Sequence, residues 1–387
     1  MKIAKSVNRL GTESVYDIFA KTKKLEKQGK KIIDLSLGQS DFKSPQHVVN
    51  ATIQALKDGH HGYTLPNGII EGREAVSRKI KSLYNAEISA ERIVIMPGGK
   101  PTMHYAISFF GEPGAEIIYP DPGFPIYESM INYTGATAVP YNLTKKKDFS
   151  IDSDKVLSLI NEKTRLIILN NPHNPTGSFT KKKVIDKLVE GLMNFPDVTI
   201  LSDEIYDRLI FDKKEVPTML NYPKLYDRLI VLNGWSKTYA MTGWRLGWGV
   251  WPEQLVEHVF KFCVNSHSCV NTAAQYGAIA ALDGPEDHLN DMMKEFTIRR
   301  KLIVDGLGSL KGVECNIPGG SFFVFPNVKE TGLNGEEFTE KCLQETGVAV
   351  IPGTAFVKFA IDNVRFNFAT SRENISKAIE KINKILR

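Results

Sequence analysis

The chain has 387 residues, of which 42% are hydrophobic and 24% are charged. This is the composition of an ordinary globular protein, and the length favours two domains over one. The net charge is only +5, because 49 Lys and Arg residues face 44 Asp and Glu residues. So small an excess argues against a nucleic-acid partner. The lysine runs 145–147 and 181–183, which no aromatic residues interrupt, are interpreted as solvated surface.

The cysteines and the apolar runs narrow the class of protein further. Cys263, Cys269, Cys315 and Cys342 fit neither a zinc site nor a disulfide scaffold. We therefore expect no metal, and reduced, buried thiols in a cytoplasmic protein. Residues 1–20 are polar, so no signal peptide is expected, and no apolar run approaches the roughly 20 residues of a membrane helix.

In chain order, a predicted helix near residues 15–28 is followed by alternating strands and helices. Helical spacing of apolar residues marks stretches such as 103–110, 155–160 and 183–193. The predicted strands are 92–96, 116–119, 137–141, 166–169, 199–201, 229–232 and 246–250. This alternation predicts an α/β fold, in which helices flank both faces of a mainly parallel, seven-stranded sheet.

The pattern changes after Pro285. A long helix is predicted over 286–310, followed by the apolar run 322–325, a helical segment, two short strands and an amphipathic helix over 372–386. These elements predict a smaller α+β domain, against which the N-terminal segment packs. The predicted division is an N-terminal segment of residues 1–45, a large domain of 46–285 and a small domain of 286–387.

The strongest chemical signal is the segment SKTYAMTGWRLG, which begins at Ser236 and lies between two predicted strands. Lys237 stands at a strand end, where open α/β sheets bind ligands, and a partly buried lysine becomes a usable nucleophile and base. Ser236 and Arg245 could bind a phosphate, the arginine through its planar fork of donors. For Lys237 alone, an ordinary exposed lysine is the simpler interpretation.

Two further motifs follow predicted strands. In NPHNPTG, prolines and a glycine form a rigid turn that fixes the amide of Asn174, although an isolated Asn-Pro turn needs no function. In SDEIY, Asp203 is placed to pair with a protonated pyridine nitrogen, and Tyr206 can reach the neighbouring ring oxygen. A structural aspartate or a helix cap is an equal alternative for Asp203 in isolation.

Two weaker signals concern anions. Gly99 and Lys100 lie between a predicted strand and a predicted helix, where backbone N–H groups can approach a phosphate. The spacing is not that of a Walker A loop, and the chain has no G-x-G-x-x-G motif of nucleotide-binding oxidoreductases. Arg365 lies in the apolar run VRFNF, where an anion must pair with it. A substrate carboxylate and the carboxylate of an internal salt bridge are both candidates for this anion.

Taken together and in this order, these motifs resemble the class I/II aminotransferases of fold type I, which depend on pyridoxal 5′-phosphate (PLP). The resemblance covers about residues 14–386 and includes the early segment LGQSDF around Gly38. It implies that Lys237 holds PLP as a Schiff base and shuttles a proton. It implies that Asp203 pairs with the pyridine nitrogen, and that Tyr206 and Asn174 hydrogen-bond the phenolic oxygen.

The resemblance also implies roles at the phosphate, the ring face and the substrate. Arg245, Ser236 and the backbone of Gly99 and Lys100 would bind the phosphate. Phe124 would lie against the ring face, where tryptophan or tyrosine is common in the family. Arg365, Asn174 and the Gly38 backbone would hold the substrate α-carboxylate. Tyr63 would reach the phosphate of the partner subunit, so a homodimer is implied.

The expected function is transfer of the α-amino group from an L-amino acid to a 2-oxo acid by a ping-pong mechanism, with aspartate and 2-oxoglutarate as the first candidates. No basic residue is evident for a distal carboxylate, and Glu13 is expected to border the side-chain pocket. Trp235 replaces a smaller family residue. The alternatives are a C–S β-lyase, a silent binding protein, and a PLP-sensing regulator with a DNA-binding module, which we do not expect here.

Overall fold

The computed structural model describes residues 1–12, 15–212, 217–356 and 360–386. Its α-helices are α1 (Val15–Lys27), α2 (Gln46–Lys57), α3 (Ile70–Tyr84), α4 (Lys100–Phe110), α5 (Ile126–Thr134), α6 (Ser153–Ser158), α7 (Lys182–Leu192), α8 (Trp235–Thr238), α9 (Val256–Ser266), α10 (Thr272–Asp283), α11 (Asp287–Gly308), α12 (Gly335–Lys341) and α13 (Arg372–Ile385). Its strands are β1 (Ile33–Asp34), β2 (Ile93–Met96), β3 (Glu116–Asp121), β4 (Thr137–Asn142), β5 (Thr164–Asn170), β6 (Thr199–Asp203), β7 (Leu229–Gly234), β8 (Gly247–Val250), β9 (Phe323–Val324), β10 (Val348–Ala349), β11 (Ile351–Pro352) and β12 (Val364–Asn367).

Seven strands form the main sheet in the order β2-β8-β7-β6-β5-β3-β4. Strands β7, β6, β5, β3 and β4 pair in parallel, whereas β8 is antiparallel to both of its neighbours. Every residue of β6 and β7 is buried, as expected for central strands that are covered on both faces. The mainly parallel, seven-stranded sheet predicted from the sequence is confirmed.

Helices cover both faces of this sheet, because its side chains alternate between two hydrophobic cores. In β5, Ile167 and Leu169 belong to one core, whereas Leu166 and Ile168 belong to the other. This is the period of two that a pleated strand imposes. The α/β layering therefore follows from runs that are apolar on both sides of the pleat.

A third core holds the smaller α+β unit together. Its strands form the sheet β11-β12-β9 and the parallel pair β1-β10, and helices α11 and α13 contact each other. Leu35, from the N-terminal segment, is fully buried in this core among residues of the C-terminal third. Both termini thus contribute to the smaller unit, as predicted, while the boundaries at 45 and 285 stay predictions.

The structure corrects several details. Helix α4 begins at Lys100, three residues earlier than predicted, because Pro101 is tolerated in the first turn of a helix. Three short strands, β10, β11 and β12, follow α12, where two were predicted. All four cysteines carry free thiols, but Cys269 and Cys315 are only partly buried. In the described part of the chain, no helix combines the length and apolarity that a membrane crossing demands.

Candidate active site

The predicted motifs meet at one edge of the main sheet. Asn170 ends β5 and Asp203 ends β6, and the two residues are register partners. Gly234 ends β7 and lies beside Gly247, which begins the antiparallel strand β8. Ligands bind outside the carboxyl ends of strands in open α/β sheets. Motifs that are far apart in the sequence are therefore gathered around one cavity.

This cavity has a volume of about 460 Å³, within the roughly 300–1,000 Å³ of small-molecule sites. Most of the residues singled out from the sequence line it: Gly38, Gly99, Lys100, Phe124, Asn174, Asp203, Tyr206, Ser236, Lys237, Arg245 and Arg365. Tyr63 does not line the cavity and is 94% exposed, so its predicted contact with a partner subunit stays a prediction. Glu13 lies outside the described residues.

Lys237 lies in the short helix α8, directly after β7, and is partly buried. Its Nζ donates a hydrogen bond of 2.6 Å to the carbonyl oxygen of Gly38. The same nitrogen is 5.9 Å from the ring centroid of Tyr206 and 5.8 Å from that of Phe322. The amine thus projects into the cavity between the N-terminal segment and an aromatic wall.

Asp203 is buried at the inner end of the cavity. Burial raises the pKa of its carboxyl group from 3.8 to about 6, because the charged form is desolvated. Hydrogen bonds from the Tyr127 hydroxyl at 2.6 Å and from the Ile205 backbone at 3.2 Å, together with the charge of Lys237, oppose this rise in pKa. A cation placed opposite Asp203 would compensate for the desolvation.

Close-packed glycines shape an anion cradle at the start of α4. At Gly98, which has φ +89°, a Cβ would lie 2.2 Å from an Nη of Arg245. At Gly247, a Cβ would lie 2.4 Å from the backbone of Gly98. The N–H groups at the start of a helix attract anions, and Arg245 and Ser236 line the same cavity as Gly99 and Lys100. Any larger residue at these glycines would close the cradle.

Arg365 and Asn174 form a second polar centre. The Arg365 side chain is 3% exposed, and it donates to Asn174 Oδ1 at 2.9 Å and to the carbonyl of Ser36 at 2.6 Å. Asn174 is itself held through its backbone N–H, which donates to Asn170 Oδ1 at 3.0 Å. The Arg365 guanidinium and the Asn174 amide are therefore held next to each other. This arrangement is compatible with binding of a substrate carboxylate by both groups.

Three features of the cavity were not predicted. Tyr127 reaches Asp203 from α5, and Phe356 lines the cavity near Arg365. The ammonium group of Lys100, which was expected to contribute only its backbone, lies 6.0 Å from the ring centroid of Tyr16 and 5.4 Å from that of Phe124. No feature of the sequence indicated this side-chain position, because the helix that begins at Lys100 was predicted to begin three residues later.

Trp235 was identified as a departure from the family pattern, and the structure explains how it is accommodated. Its side chain is buried, and the indole N–H donates to the carbonyl of Ala278 at 3.0 Å. Trp235 therefore anchors α8 to α10 on the side away from the cavity. The larger side chain adds to the core and does not narrow the site.

The donor set fits PLP. A lysine amine, a buried carboxylate whose pKa is raised by desolvation, and an anion cradle with a glycine-lined floor match an aldehyde, a protonated pyridine nitrogen and a phosphate. Across the described residues, no group of three or more His, Cys, Asp or Glu side chains could hold a metal ion. The fold and this site together define an enzyme that uses a phosphorylated pyridine cofactor.

Comparison with known proteins identifies the family. The model of aminotransferase class I and II matches residues 30–382. The aspartate aminotransferase of Pyrococcus abyssi is 35% identical over 92% of this chain and 92% of its own length. That of Bacillus subtilis is 32% identical over 100% of this chain and 99% of its own. The aspartate aminotransferase of Thermus thermophilus, solved with maleate, has a TM-score of 0.94 at 28% identity, with all of both chains covered.

The chain belongs to the class I and II aminotransferases, and it is a PLP-dependent enzyme that uses amino acid and 2-oxo acid substrates. The family predicted from the motifs is confirmed, as is the PLP dependence. Among the functions left open by the sequence, transamination is the one that these relatives support.

Proposed function

We propose that the enzyme transaminates aspartate with 2-oxoglutarate as the acceptor. The observation that carries this proposal is the ammonium group of Lys100, which stands beside Phe124 on the wall of the cavity that also contains Arg365. Among the described residues, four cationic side chains line this cavity, and Lys237 and Arg245 are assigned to the cofactor. The other two, Lys100 and Arg365, suit a substrate with two carboxylates. The T. thermophilus relative, whose solved structure contains the dicarboxylate maleate, supports the same substrate class.

The α-carboxylate of the substrate is assigned to Arg365, Asn174 and the backbone of Gly38. The Arg365 guanidinium is buried, and its planar fork matches a carboxylate in two parallel hydrogen bonds. The Asn174 amide is already fixed against it. The Gly38 carbonyl, which accepts from Lys237 Nζ, places the N-terminal segment at the same end of the cavity.

At the cofactor ring, Lys237 carries the cofactor covalently and moves the substrate Cα proton. When bound, PLP supplies an electron sink for the bond that breaks at Cα. Asp203 holds the proton on the pyridine nitrogen, and Tyr206 and Asn174 donate to the phenolic oxygen. Phe124 excludes water from the ring face. These roles accord with the burial of Asp203, Tyr206 and Asn174.

The phosphate is assigned to Ser236, Arg245 and the backbone N–H groups of Gly99 and Lys100. Tyr63, from a second copy of the chain, completes this site, so the functional unit is a homodimer. The exposure of Tyr63, together with the exposed apolar side chains of Ile53, Leu56 and Leu65 nearby in the sequence, supports such an interface. Free thiols at all four cysteines support a reducing, cytoplasmic location.

The domain division proposed with this function places residues 46–285 around the cofactor. Residues 1–45 and 286–387 then form a smaller unit that brings Arg365 and Gly38 to the substrate. The pairing of β1 with β10 and the burial of Leu35 in the C-terminal core support this division.

The proposal is tested with half-reactions of the holoenzyme, using aspartate and alanine as amino donors. In Lys100→Gln, kcat/KM for aspartate should fall about 10- to 150-fold, because a charge-assisted hydrogen bond contributes about 1.5–3 kcal/mol. Alanine, which has no distal carboxylate, should react within about twofold of wild type. Lys146→Gln, at an exposed lysine outside the cavity, is the matched control. Equal losses for aspartate and alanine would remove Lys100 from substrate recognition.

A further inference from the structure

Two phenylalanine rings lie against the guanidinium group of Arg365. Its Cζ atom is 4.4 Å from the ring centroid of Phe323 and 4.6 Å from that of Phe356. All three side chains are buried. Contacts this short, in a buried place, are within the range in which a cation is attracted to the face of an aromatic ring. The rings therefore fix where the guanidinium plane can lie.

Phe356 makes a second contact that Phe323 does not share. Its carbonyl oxygen accepts a hydrogen bond of 3.1 Å from the backbone N–H of Gly123. Gly123 directly precedes Phe124, which lines the cavity beside Lys100. A Cβ at Gly123 would lie 2.2 Å from the carbonyl of Pro120, so only glycine fits this turn. Phe356 thus links the arginine to the loop 121–124.

We propose that Phe356 is a positioning residue. It holds the Arg365 guanidinium in a fixed position relative to the loop 121–124, which carries Phe124. The proposal rests on the function assigned above, in which Arg365 binds the α-carboxylate and Phe124 covers the cofactor ring. The ring of Phe356 fixes the guanidinium, and its carbonyl fixes Gly123. Binding of a carboxylate at Arg365 is thereby coupled to the position of Phe124.

The orientation of the Arg365 guanidinium plane determines how well it can bind a carboxylate. A guanidinium binds a carboxylate through two N–H groups in one plane, so rotation of that plane loses one of the two hydrogen bonds. An aromatic ring attracts the cation and leaves its N–H edge available, and it excludes the water that would weaken the charge. A leucine of similar size fills the space but lacks the negative ring face.

The experiment measures succinate binding to the holoenzyme by calorimetry, together with the visible circular dichroism of the bound cofactor. Phe356→Leu removes the ring, and Phe356→Met is the second apolar variant if the leucine variant does not fold. Phe356→Tyr keeps the ring. Phe325→Leu is the matched control, because Phe325 is buried and lies 6.2 Å from Phe356, ring centroid to ring centroid.

We expect Phe356→Leu and Phe356→Met to weaken succinate binding about 3- to 30-fold. Phe356→Tyr and Phe325→Leu should stay within about twofold of wild type. Saturating succinate should change the circular dichroism of the wild-type cofactor, and this change should be lost in Phe356→Leu. The inference would be overturned if Phe356→Leu and Phe356→Met bound succinate with wild-type affinity, or if Phe356→Tyr lost as much affinity as they do. It would also be overturned if succinate changed the circular dichroism of Phe356→Leu as it changes that of wild type.

One further variant separates this inference from the proposed function. Arg365→Lys should lose succinate binding if Arg365 is the carboxylate site. If wild type does not bind succinate, or if Arg365→Lys binds it normally, the carboxylate assignment fails and the role of Phe356 fails with it. If Arg365→Lys loses binding and Phe356→Leu does not, only the inference about Phe356 fails.

Discussion

The hydroxyl of Tyr127 donates a hydrogen bond of 2.6 Å to Oδ2 of Asp203, and both side chains are buried. Burial alone would drive Asp203 toward its neutral form, which could not hold a proton on a pyridine nitrogen. The phenol stabilises the ionised carboxylate and so opposes this shift. Under the proposed pairing of Asp203 with the pyridine nitrogen, Tyr127 acts on the cofactor through Asp203, without lying in any motif that the sequence suggests.

Tyr127→Phe should raise the pKa of Asp203 above about 6, because the carboxylate loses a donor. A hydrogen bond to a charged group contributes about 1.5–3 kcal/mol, so in the cofactor-free protein the pKa of the Asp203 carboxyl group, followed by its infrared absorption, should move up by about one to two units. Tyr141→Phe is the control, since its buried hydroxyl donates to the Ile168 carbonyl. An equal shift of the Asp203 pKa in both variants would contradict the role of Tyr127.

Asp203→Asn should stabilise the cofactor-free protein at high pH while abolishing efficient turnover. The pKa of Asp203 is about 6 in the folded chain, against 3.8 as its ordinary value. Ionisation of Asp203 therefore lowers the free energy of unfolding as pH rises. The loss is about 2–3 kcal/mol above pH 6 and vanishes below about pH 4. Asparagine has no charge to desolvate, and its oxygen can still accept from Tyr127.

The measurement for Asp203→Asn is chemical denaturation of cofactor-free wild type and variant between pH 4 and pH 8. The stability difference should be greatest near pH 8 and should disappear near pH 4. A difference that does not depend on pH would show that packing, and not the buried charge, separates the two proteins. Glu204, whose pKa burial raises to about 7, is present in both proteins and cancels in the comparison.

The sequence was informative wherever chemistry follows a strand. Asp203 is the last residue of β6, and Asn174 and Lys237 lie in the segments that follow β5 and β7, so a parallel sheet must bring them to one edge. The apolar runs predicted that sheet, because a strand that is covered on both faces is recognisable from its own few residues as a short, continuous apolar run. The grouping of these residues at one edge of the sheet was therefore predictable from local patterns combined with one rule of topology.

The remaining parts of the site depend on contacts between distant loops. Phe356 meets Gly123 through a single backbone hydrogen bond, and no local pattern indicates such a pair. Lys100 is the first residue of α4, and its ammonium group lies near the rings of Tyr16 and Phe124, which are distant in the sequence. Element ends and loop conformations are decided by tertiary packing, which a single sequence does not display.

Arg365→Lys should weaken amino acids and leave simple amines nearly unaffected. Loss of a buried, hydrogen-bonded charge costs about 2–5 kcal/mol, and lysine keeps the charge but not the planar fork. We therefore expect half-reaction rates with alanine to fall about 10- to 100-fold. Ethylamine, which has no carboxylate, should react as with wild type. Equal losses for both would make Arg365 a structural residue.

Lys237→Ala should abolish the covalent link to the cofactor while leaving a site that still binds PLP. The anion cradle at Gly98 and Arg245 and the carboxylate of Asp203 do not depend on the lysine. Borohydride treatment followed by mass spectrometry should therefore find no cofactor on the variant chain, although equilibrium dialysis still detects binding. The control is Lys224→Ala, at an exposed lysine outside the cavity.

Transamination by Lys237→Ala should fall by at least about 10²- to 10⁴-fold, since that is the contribution of one positioned general base. A small primary amine added to the solution should restore part of the rate, because the alanine leaves space where Nζ stood 2.6 Å from the Gly38 carbonyl. Rescue should follow the basicity of the added amine. A variant that transaminates at nearly the wild-type rate without added amine would show that another group removes the Cα proton.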